Sequence, residues 1–369
     1  MQILHFILGK ANKNRANGVN QVIAGLAKYS VRQGAEVRVI GKAESVNSEG
    51  ELIVRDGFDV QAFSTWGKPL TNAIRDAIAW ADIIHMHGGY APWNVWVGHK
   101  CNRMGTPYIL TLHDGLSPRR TVVHGRIKKL LFHTFIQARH LREAAAIHVL
   151  TEEEATEVLS CANPKAMFCI PNGIDLDDFP PIEETMFREK PYTTIGYLGR
   201  LSQEKNLNSL CEAFTAVNTE GSLRLKLAGP DSSYARKLLR QFGERGVEWV
   251  GPKFGQEKVE FIRSIDLFVL PSLSEGFSMA ALEVLAFGVP LLITRTSKMC
   301  YFYDCRAFFM CEPTAFGIEL GLRGALAQRS EWPGMTMRGR ELIEQRLNWA
   351  VLTCELLKQY RKILSVGKA

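Results

Sequence analysis

The sequence predicts an α/β protein made of two Rossmann-like domains that face a cleft. Short apolar runs of strand composition alternate with helix-spaced segments along the whole chain, which is the pattern of βαβ units and parallel sheets. The 369 residues exceed what one hydrophobic core usually organises, and 46% of them are apolar, which is enough for two cores. A polar, proline-broken stretch at 180–184 is typical of a linker between the two halves.

The first half of the chain alternates strands with helices. Val19, Val22 and Ile23 begin a three-and-four spacing of apolar residues that predicts a helix with one buried face. Thr151 and Glu154 have the spacing of a capping box, which predicts that another helix starts there. The predicted strands of this half are 3–8, 36–40, 83–87, 108–112, 146–150 and 167–170.

The second half repeats the alternation. Its predicted strands are 193–198, 224–228, 248–250, 266–270, 290–294 and 307–310. We therefore expect one domain at 1–180 and another at 181–346, followed by one long amphipathic helix at 347–369.

Composition and charge exclude several classes of protein. No apolar run approaches the roughly 18 residues that span a bilayer. The chain starts with a strand pattern and lacks the pattern of a signal peptide, so we expect a cytoplasmic protein. The eight cysteines include no C-x-x-C pair and most sit in apolar surroundings, so we expect reduced, buried thiols and neither zinc nor disulfides. The net charge of +7 is low and no nucleic-acid-binding module is recognisable, so nucleic acid is not an expected partner.

Two glutamates at the start of a predicted helix suggest a ligand. Glu275 and Glu283 lie eight residues apart, after the strand at 266–270. If the helix begins near Phe277, its first N–H groups form an anion site, and Glu283 lies roughly 8 Å further along the axis. A ribose joined to a bound diphosphate sits at about that distance, while Glu275 would face sugar hydroxyls at the other end. This arrangement suits a nucleotide-sugar.

The glutamate pair, with seven residues between its members, resembles the signature of glycosyltransferase family 4, a group of retaining GT-B transferases. Other family-like segments follow in order from residue 1 to about 360. The resemblance implies a GT-B fold with an acceptor-side first domain, a nucleotide-sugar-binding second domain, and a C-terminal helix that crosses back to the first. It also implies transfer of a hexose from a UDP- or GDP-sugar to a glycan or lipid-linked acceptor, as in bacterial surface polysaccharide or lipopolysaccharide assembly.

The second domain carries most of the expected donor site. Arg200 and Lys205 follow a strand in a segment similar to the family's phosphate-holding loop, and two cations there would neutralise the departing diphosphate without a metal ion or other cofactor. The resemblance implies that Glu275 orients the sugar, that Glu283 binds the ribose, and that Gly251 belongs to the segment that binds the nucleotide base. The remaining expected donor contacts are Gly276, Phe277, Ser278 and Met279.

The first domain contributes fewer residues. The turn at 9–18 lacks the G-x-G-x-x-G spacing of dinucleotide-binding proteins. In the family this turn ends in a Gly-Gly pair near the donor phosphate; here Asn17 precedes Gly18, and an ordinary strand-to-helix turn is the alternative. His113 follows a strand at its carboxyl end, and the resemblance places it beside the transferred sugar. Of His85 and His87, one is expected to line the cleft and the other to pack elsewhere.

Three further segments carry weaker expectations. The spacing of Asp175 and Asp177 matches a D-x-D metal motif, but we interpret it as a solvated interdomain turn. The segment 295–305 departs from the family's glycine-rich turn, which leaves its donor contacts open. The segment 119–142 holds seven Arg or Lys, three His and no acidic residue. It favours either an anionic membrane surface as partner or a buried apolar face with a solvated basic side.

Two other functions remain open from the sequence. A sugar-nucleotide epimerase of the same shape would act on the donor without an acceptor. A non-catalytic nucleotide- or glycan-binding protein would keep the fold without turnover.

Overall fold

The structure is a computed structural model that describes residues 1–7, 9, 18–43, 46–89, 91–116, 136–180 and 192–366. The chain divides into two compact units. The first contains the described residues up to Gly173 together with the segment from Trp349 onward, and the second runs from Ile174 to Asn348. The predicted linker at 180–184 lies, after Pro180, outside the described residues.

The first unit is built on an eight-stranded sheet with the order β3-β4-β2-β1-β5-β6-β7-β8. All of its neighbouring strands pair in parallel except β3 and β4. The strands are β1 (Gln2–Ile7), β2 (Glu36–Lys42), β3 (Glu51–Arg55), β4 (Phe58–Phe63), β5 (Ile83–His87), β6 (Tyr108–Thr111), β7 (Ala146–Val149) and β8 (Met167–Cys169). The described helices up to this point are α1 (Gly18–Arg32), α2 (Lys68–Trp80), α3 (Pro92–Met104), α4 (Ala138–Glu143) and α5 (Glu152–Cys161).

The hairpin formed by β3 and β4 is absent from the sequence-based strand assignment. It turns at Asp56 and Gly57, whose φ angles of 45° and 84° are both positive. A two-residue turn with both φ angles positive is the type I′ geometry that matches strand twist, and Asp-Gly is among its preferred sequences. The hairpin extends the parallel sheet at one edge, with β4 paired to β2.

The second unit is built on a six-stranded parallel sheet with the order β11-β10-β9-β12-β13-β14. Its strands are β9 (Thr193–Leu198), β10 (Leu223–Ala228), β11 (Val247–Trp249), β12 (Leu267–Leu270), β13 (Leu291–Thr294) and β14 (Phe309–Cys311). Its helices are α6 (Leu207–Val217), α7 (Ser233–Phe242), α8 (Gly255–Arg263), α9 (Met279–Ala286), α10 (Ala315–Ala327) and α11 (Trp332–Arg346). The predicted two-domain α/β fold is therefore confirmed, and the predicted strands are present.

The last described helix, α12 (Trp349–Val366), belongs to the first unit and packs on α1. Gly25 makes this contact possible, because a Cβ atom at that position would lie 2.1 Å from Nε1 of the buried Trp349. Gln33, just after α1, donates a hydrogen bond to the carbonyl of Ala350 at 3.1 Å. The predicted return of the C-terminal helix to the first domain is thus present.

In open α/β sheets, ligands bind beyond the carboxyl ends of the strands, where the strand order reverses direction. In the first sheet this switch point lies between β1 and β5, and in the second between β9 and β12. The loops after β9 and β12 are those that carry Lys205 and Glu275.

All eight cysteines lie in the described part of the chain and are free thiols. Burial was expected for most of them, but only Cys101, Cys211 and Cys311 are buried. Among the described helices, none combines the length and the apolar character that crossing a membrane requires.

Candidate functional site

The two loops at the switch point of the second sheet are joined by hydrogen bonds. The backbone N–H of Leu273 donates to the carbonyl of Glu204 at 3.0 Å. Asn206, which adopts a left-handed conformation at the start of α6, donates through Nδ2 to the carbonyl of Pro271 at 3.1 Å. These contacts hold the loop at 199–206 and the loop at 271–278 in one fixed arrangement.

Lys205 and Glu275 form an ion pair between these loops. The Nζ atom of Lys205 donates to Oε2 of Glu275, and both side chains are largely buried. Ser272 donates through its hydroxyl to the same carboxylate oxygen at 3.0 Å. The sequence-predicted cation and carboxylate are therefore brought together, although they lie 70 positions apart in the chain. Each could be found from sequence, but their direct contact could not.

The backbone of Glu275 is fixed by the segment that departs from the family pattern. The N–H of Glu275 donates to the carbonyl of Thr296 at 3.3 Å, and the N–H of Lys298 donates to the carbonyl of Glu275 at 3.0 Å. Lys298 then begins a short 3-10 helix that ends at Cys305, with the Ser297 hydroxyl accepting from the N–H of Met299. This segment therefore supports the predicted site through backbone contacts.

Helix α9 begins at Met279, two residues later than the predicted start near Phe277. Ser278 caps it, because its hydroxyl accepts a hydrogen bond from the N–H of Ala281 at 3.4 Å. Phe277 is buried and meets Phe302 edge to face at 5.8 Å, so its side chain belongs to the core of the unit. Since Glu283 is four residues into α9, it lies about 6 Å along the axis from the helix start, closer than expected.

Glu283 is paired with Lys258, a residue that sequence reasoning missed. Nζ of Lys258 donates to Oε1 of Glu283 at 2.6 Å, and the two side chains are 20% and 7% exposed. Lys258 lies on α8, where it shares a face with the buried residues Phe261 and Ile262, three and four positions away. A lysine on the apolar face of a helix was the available signal, because such a residue needs a buried partner.

Arg200 lies closer to solvent than Lys205. Its side chain is 55% exposed, and its guanidinium contacts the carboxylate of Glu204 at 2.9 Å, while its carbonyl accepts a hydrogen bond from the hydroxyl of Tyr197. Both predicted cations are therefore paired with carboxylates in this structure. A diphosphate would have to share or exchange these partners on binding.

The glycines at the ends of β9, β10 and β11 adjoin one another. Gly229 donates through its N–H to the carbonyl of Gly251 at 3.0 Å, and a Cβ atom on Gly229 would lie 2.0 Å from the carbonyl oxygen of Gly199. Gly251 has a φ of 75°, which favours glycine, and a Cβ atom there would meet nothing within 4 Å. The expected base-gripping segment thus lies at the same edge of the sheet as Lys205.

In the first unit, His113 follows β6 as predicted and lies in a strained turn. His113 and Asp114 have φ angles of 51° and 64°, which are uncommon for residues other than glycine. The carboxylate of Glu154 is fully buried and accepts from the N–H groups of Asp114 and Leu150 at 2.8 and 2.7 Å. The predicted cap is present, since Thr151 accepts from the N–H of Glu154. Glu154 also fixes the His113 turn, a role that its motif did not reveal.

Five hydrogen-bonding groups form one continuous chain beneath this turn. His148 Nε2 meets the carbonyl of Ile170 at 2.8 Å; because a carbonyl only accepts, Nε2 carries the proton. His148 Nδ1 must then accept from the Thr111 hydroxyl at 2.8 Å. Thr111 in turn accepts from His85 Nε2 at 2.5 Å, and His85 Nδ1 accepts from the hydroxyl of Tyr360 on α12 at 2.5 Å.

This chain requires neutral histidines, and burial favours them. Burial lowers the pKa of His148 from 6.5 to about 4 and that of His85 well below 6.5. His85 and His87 were expected to have different roles, one of them at the cleft. Instead both are buried, with their rings stacked at 4.3 Å.

The ring nitrogens of His5, His85 and His87 lie within 4.8 Å of one another, close enough to consider a metal ion. The chemistry of the donor set does not fit one. Both nitrogens of His85 are already engaged, by Tyr360 and Thr111, so a metal would have to break a buried hydrogen bond. We assign no metal to this cluster.

The remaining predicted residues are only partly described. Gly18 is the first residue of α1 and is exposed, while residues 10–17 of its turn lie outside the described chain. Asp175 was interpreted as solvated, but it is buried and its carboxylate accepts from the N–H of Asp177 at 3.3 Å. Of the basic segment 119–142, residues 119–135 lie outside the described chain, and the rest leads into α4.

Family models match both units of the chain. Residues 16–178 match the model described as Glycosyltransferase Family 4, and residues 192–314 match the model described as Glycosyl transferases group 1. The chain belongs to glycosyltransferase family 4. The two matches leave the last three helices of this glycosyltransferase, α10, α11 and α12, outside the matched ranges.

Curated relatives of this glycosyltransferase have low sequence identity to it, but the similarity extends over most of each chain. A D-inositol 3-phosphate glycosyltransferase of Saccharomonospora viridis is 24% identical over 95% of this chain and 90% of its own length. A GDP-mannose:cellobiosyl-diphosphopolyprenol alpha-mannosyltransferase of Xanthomonas campestris is 26% identical over 78% of this chain and 73% of its own.

Solved structures share the GT-B fold of this glycosyltransferase. Sucrose-phosphate synthase from Thermosynechococcus elongatus matches with a TM-score of 0.82 at 16% identity, covering 99% of both chains. Anabaena HepE in complex with UDP-glucose matches with a TM-score of 0.75 at 16% identity, covering 99% of this chain and 100% of its own. At these identities the likeness concerns the fold alone.

Proposed function

We propose that this glycosyltransferase is a retaining enzyme that moves a hexose from a UDP- or GDP-sugar to a glycan or lipid-linked glycan acceptor in bacterial surface polysaccharide biosynthesis. One observation carries the proposal. Glu275 and Glu283, each ion-paired to a lysine, lie on either side of the start of α9 at the switch point of the second sheet.

The donor site follows from the groups at this switch point. The N–H groups at the start of α9 would face a bound anion, and the helix dipole favours negative charge there. Arg200, Lys205, Glu204 and Glu275 carry two positive and two negative charges, so their sum is zero. The amides of 276–280 therefore supply the net attraction for the diphosphate, and Lys205 moves part of its hydrogen bonding from Glu275 to phosphate.

Each carboxylate then has a separate task. Glu283 accepts hydrogen bonds from the ribose hydroxyls, with its charge balanced by Lys258. Glu275 orients the transferred sugar and does not attack it, because Lys205 and Ser272 already hold its Oε2 atom and lower its nucleophilicity. Catalysis rests on stabilising the departing diphosphate by protein groups, without a metal ion, while the acceptor attacks from the same face.

The relatives support a nucleotide-sugar donor and a carbohydrate acceptor. The Xanthomonas relative is named for GDP-mannose and cellobiosyl-diphosphopolyprenol, and HepE was solved in complex with UDP-glucose. A lipid-linked acceptor would bring the enzyme to an anionic membrane surface, where the seven Arg or Lys of 119–142 would bind.

This function is tested by incubating the protein with a panel of UDP-, GDP- and ADP-sugars and measuring the slow hydrolysis of each donor. We expect hydrolysis of one donor class and a thermal shift with the matching nucleotide. Glu283→Gln should weaken nucleotide binding about tenfold or more, because it removes a charged hydrogen-bond acceptor. Arg200→Ala should reduce mainly turnover. Glu244→Gln on the exposed surface is the matched control.

Three results would reject the proposal. Unchanged binding and turnover in both site variants would contradict the site. Conversion of the donor to an isomer without any acceptor would indicate an epimerase. No thermal shift with UDP, GDP or ADP would indicate a protein without a nucleotide-sugar substrate.

A further inference from the structure

Two tryptophans form a stacked pair at the carboxyl edge of the first sheet. The rings of Trp66 and Trp93 are nearly parallel, with 3.6 Å between their centroids and 11° between their planes. Trp66 lies between β4 and α2, and Trp93 is the second residue of α3, which follows β5. Because β4 and β5 belong to the parallel part of the sheet, both rings lie at the edge where ligands bind in open α/β sheets.

The stack is supported on its inner side and exposed on its outer side. Trp66 is partly buried against the core of the first unit and lies 6.3 Å from Phe6, a buried residue of β1. The stack therefore reaches from β1 to the start of the helix after β5, across the switch point of this sheet. Trp93 is 37% exposed. Since Trp66 covers one face of its ring, this exposed area belongs to the other face and the edges.

The backbone that carries Trp93 is fixed by contacts to the neighbouring loops. Asn94 is buried and donates through Nδ2 to the carbonyl of Gly88 at 2.9 Å, which holds the start of α3 to the end of β5. Gly89 packs backbone to backbone on Gly115 in the turn after β6, since a Cβ atom on Gly89 would lie 2.8 Å from the Cα atom of Gly115. The exposed indole is thus held in one place next to the turn that carries the predicted sugar-binding histidine.

An exposed indole face with a supported back suits a sugar ring. The face of an aromatic ring has negative potential, and the C–H bonds on the flat side of a pyranose present apolar, slightly positive surface to it. A ring that is already held in a stack loses little conformational freedom on binding. The chain is a glycosyltransferase, so sugars are among its ligands. Since the proposed diphosphate and ribose contacts lie in the second unit, the ligand edge of the first sheet suits the other substrate, the acceptor.

We infer that Trp93 is an acceptor-binding residue whose outer ring face packs on the C–H face of a sugar ring of the acceptor. The inference rests on the proposed function for the identity of that ring as the acceptor. A membrane surface is another partner of exposed tryptophans. The sugar is favoured because the two rings lie flat on each other at the ligand edge of the sheet and present a single ring face.

Proton–nitrogen NMR of the full chain tests sugar binding without any donor. The chain has seven tryptophans, and Trp66→Phe and Trp93→Phe assign the two indole signals of the stack. The probes are cellobiose, maltose and mannobiose at about 10 mM, which detects millimolar affinity. Sorbitol, an open-chain polyol without a flat ring face, is the control. We expect at least one disaccharide to shift both indole signals and sorbitol to shift neither. No shift with any disaccharide, or equal shifts with sorbitol, would overturn the inference.

Two substitutions separate a flat ring from apolar volume. Trp93→Phe keeps an aromatic face, whereas Trp93→Leu keeps apolar volume without one. We expect Trp93→Leu to raise the dissociation constant of the bound disaccharide about tenfold and Trp93→Phe to recover most of that loss. Phe316→Leu, at an exposed position of α10, is the matched control and should leave the dissociation constant unchanged. Equal losses in the two Trp93 variants would contradict a role of the ring face.

Sedimentation with phosphatidylglycerol vesicles addresses the membrane. Trp93→Leu should sediment with the vesicles to the same extent as the unsubstituted protein. Loss of vesicle binding in this variant, with disaccharide binding intact, would assign Trp93 to a membrane contact and reject the inference.

The two proposals fail separately. If no nucleotide-sugar is turned over, the proposed function fails while the indole signals still decide whether Trp93 binds a sugar. If a donor is turned over, we expect transfer to the disaccharide that shifts the stack. Donor hydrolysis without transfer to that disaccharide, or without any shift of the Trp93 signal, leaves the function standing and rejects this inference.

Discussion

At the scale of single residues, the site consists of buried charges that meet partners far away in the sequence. Glu275 meets Lys205 from 70 positions away, and Glu283 meets Lys258 from 25. Removing one member of a buried ion pair is costly because the other charge stays in a poorly solvated place. Both glutamates therefore depend on their lysines for stability as well as for any role in binding.

Lys258→Met should destabilise the protein by about 3 kcal/mol, the lower end for a broken buried pair, because Lys258 retains some solvent contact. It should also weaken nucleotide binding by displacing the Glu283 carboxylate. Urea unfolding and nucleotide titration measure the two effects. The double variant Lys258→Met/Glu283→Gln should regain part of the stability, since it removes the unpaired charge.

Lys358→Met is the matched control for this prediction. Lys358 pairs with Glu355 at 3.3 Å on α12, and the two side chains are 63% and 46% exposed. An exposed pair contributes about 0.2–1 kcal/mol, so the same substitution should have little effect there. Similar losses in the two lysine variants would show that burial of Glu283 does not set the cost.

At the scale of whole elements, the packing of α12 on α1 depends on the missing side chain of Gly25. Glycine inside a helix normally costs about 0.5–1 kcal/mol relative to alanine. Here the indole of Trp349 occupies the place where a Cβ atom would lie. A helix-stabilising substitution is therefore expected to act in the opposite direction at this position.

Gly25→Ala should lower the thermal unfolding midpoint, because the Cβ atom would displace Trp349 and loosen α12. Gly324→Ala inside α10 is the control, since a Cβ atom there meets nothing within 4 Å. That variant should raise stability by about 0.5–1 kcal/mol. Stabilisation by both substitutions, measured by circular dichroism, would contradict the packing role of Gly25.

The hairpin of β3 and β4 shows where element prediction from sequence stopped short. Asp56-Gly57 is a strong short-range hairpin signal, and it was available in the sequence. The strands beside it are exposed on one side, with Leu52 and Val54 facing solvent. In β3 this exposure weakens the apolar pattern, whereas β4 alternates buried with half-buried residues and was missed although its pattern is clear. The other strands of the sheet were identified from the sequence.

At the scale of the molecule, two histidine chains join four strands of the first sheet to α12. One chain runs from His148 on β7 through Thr111 on β6 and His85 on β5 to Tyr360 on α12. The other joins His5 on β1 to His87 on β5 and His87 to His113, which follows β6. Both chains need neutral rings. The stability of the protein should therefore depend on pH in the range where free histidine gains a proton.

The free energy of unfolding should fall as the pH drops from about 6.5 toward 4. Burial lowers the folded pKa of His5 to about 3 and of His148 to about 4, from 6.5. Below 6.5 the unfolded chain binds protons that the folded chain refuses, so stability is lost at about 1.4 kcal/mol per pH unit for each such group. Above 6.5 neither group contributes to the slope.

Urea unfolding between pH 7.5 and 5.0 measures this slope. His148→Asn should reduce the slope of unfolding free energy against pH by the contribution of about one proton, whatever its effect on absolute stability. His99→Gln on the surface should leave the slope unchanged. A wild-type stability that stays flat across this range would show that the buried histidines are protonated in the folded protein.

The sequence by itself determined the two-domain α/β fold, the returning helix, and the positions of Lys205, Glu275, Glu283 and His113 in the chain. The alternation of strands and helices and the loops that carry the site residues follow from apolar spacing and short motifs, whereas the return of the last helix was implied by the resemblance to the family. Only the tertiary structure decided that Lys258 pairs with Glu283, that Glu154 holds the His113 turn, and that five histidines form two chains. Such contacts depend on which strands become neighbours in a parallel sheet, and neighbours in the sheet can be far apart in the sequence.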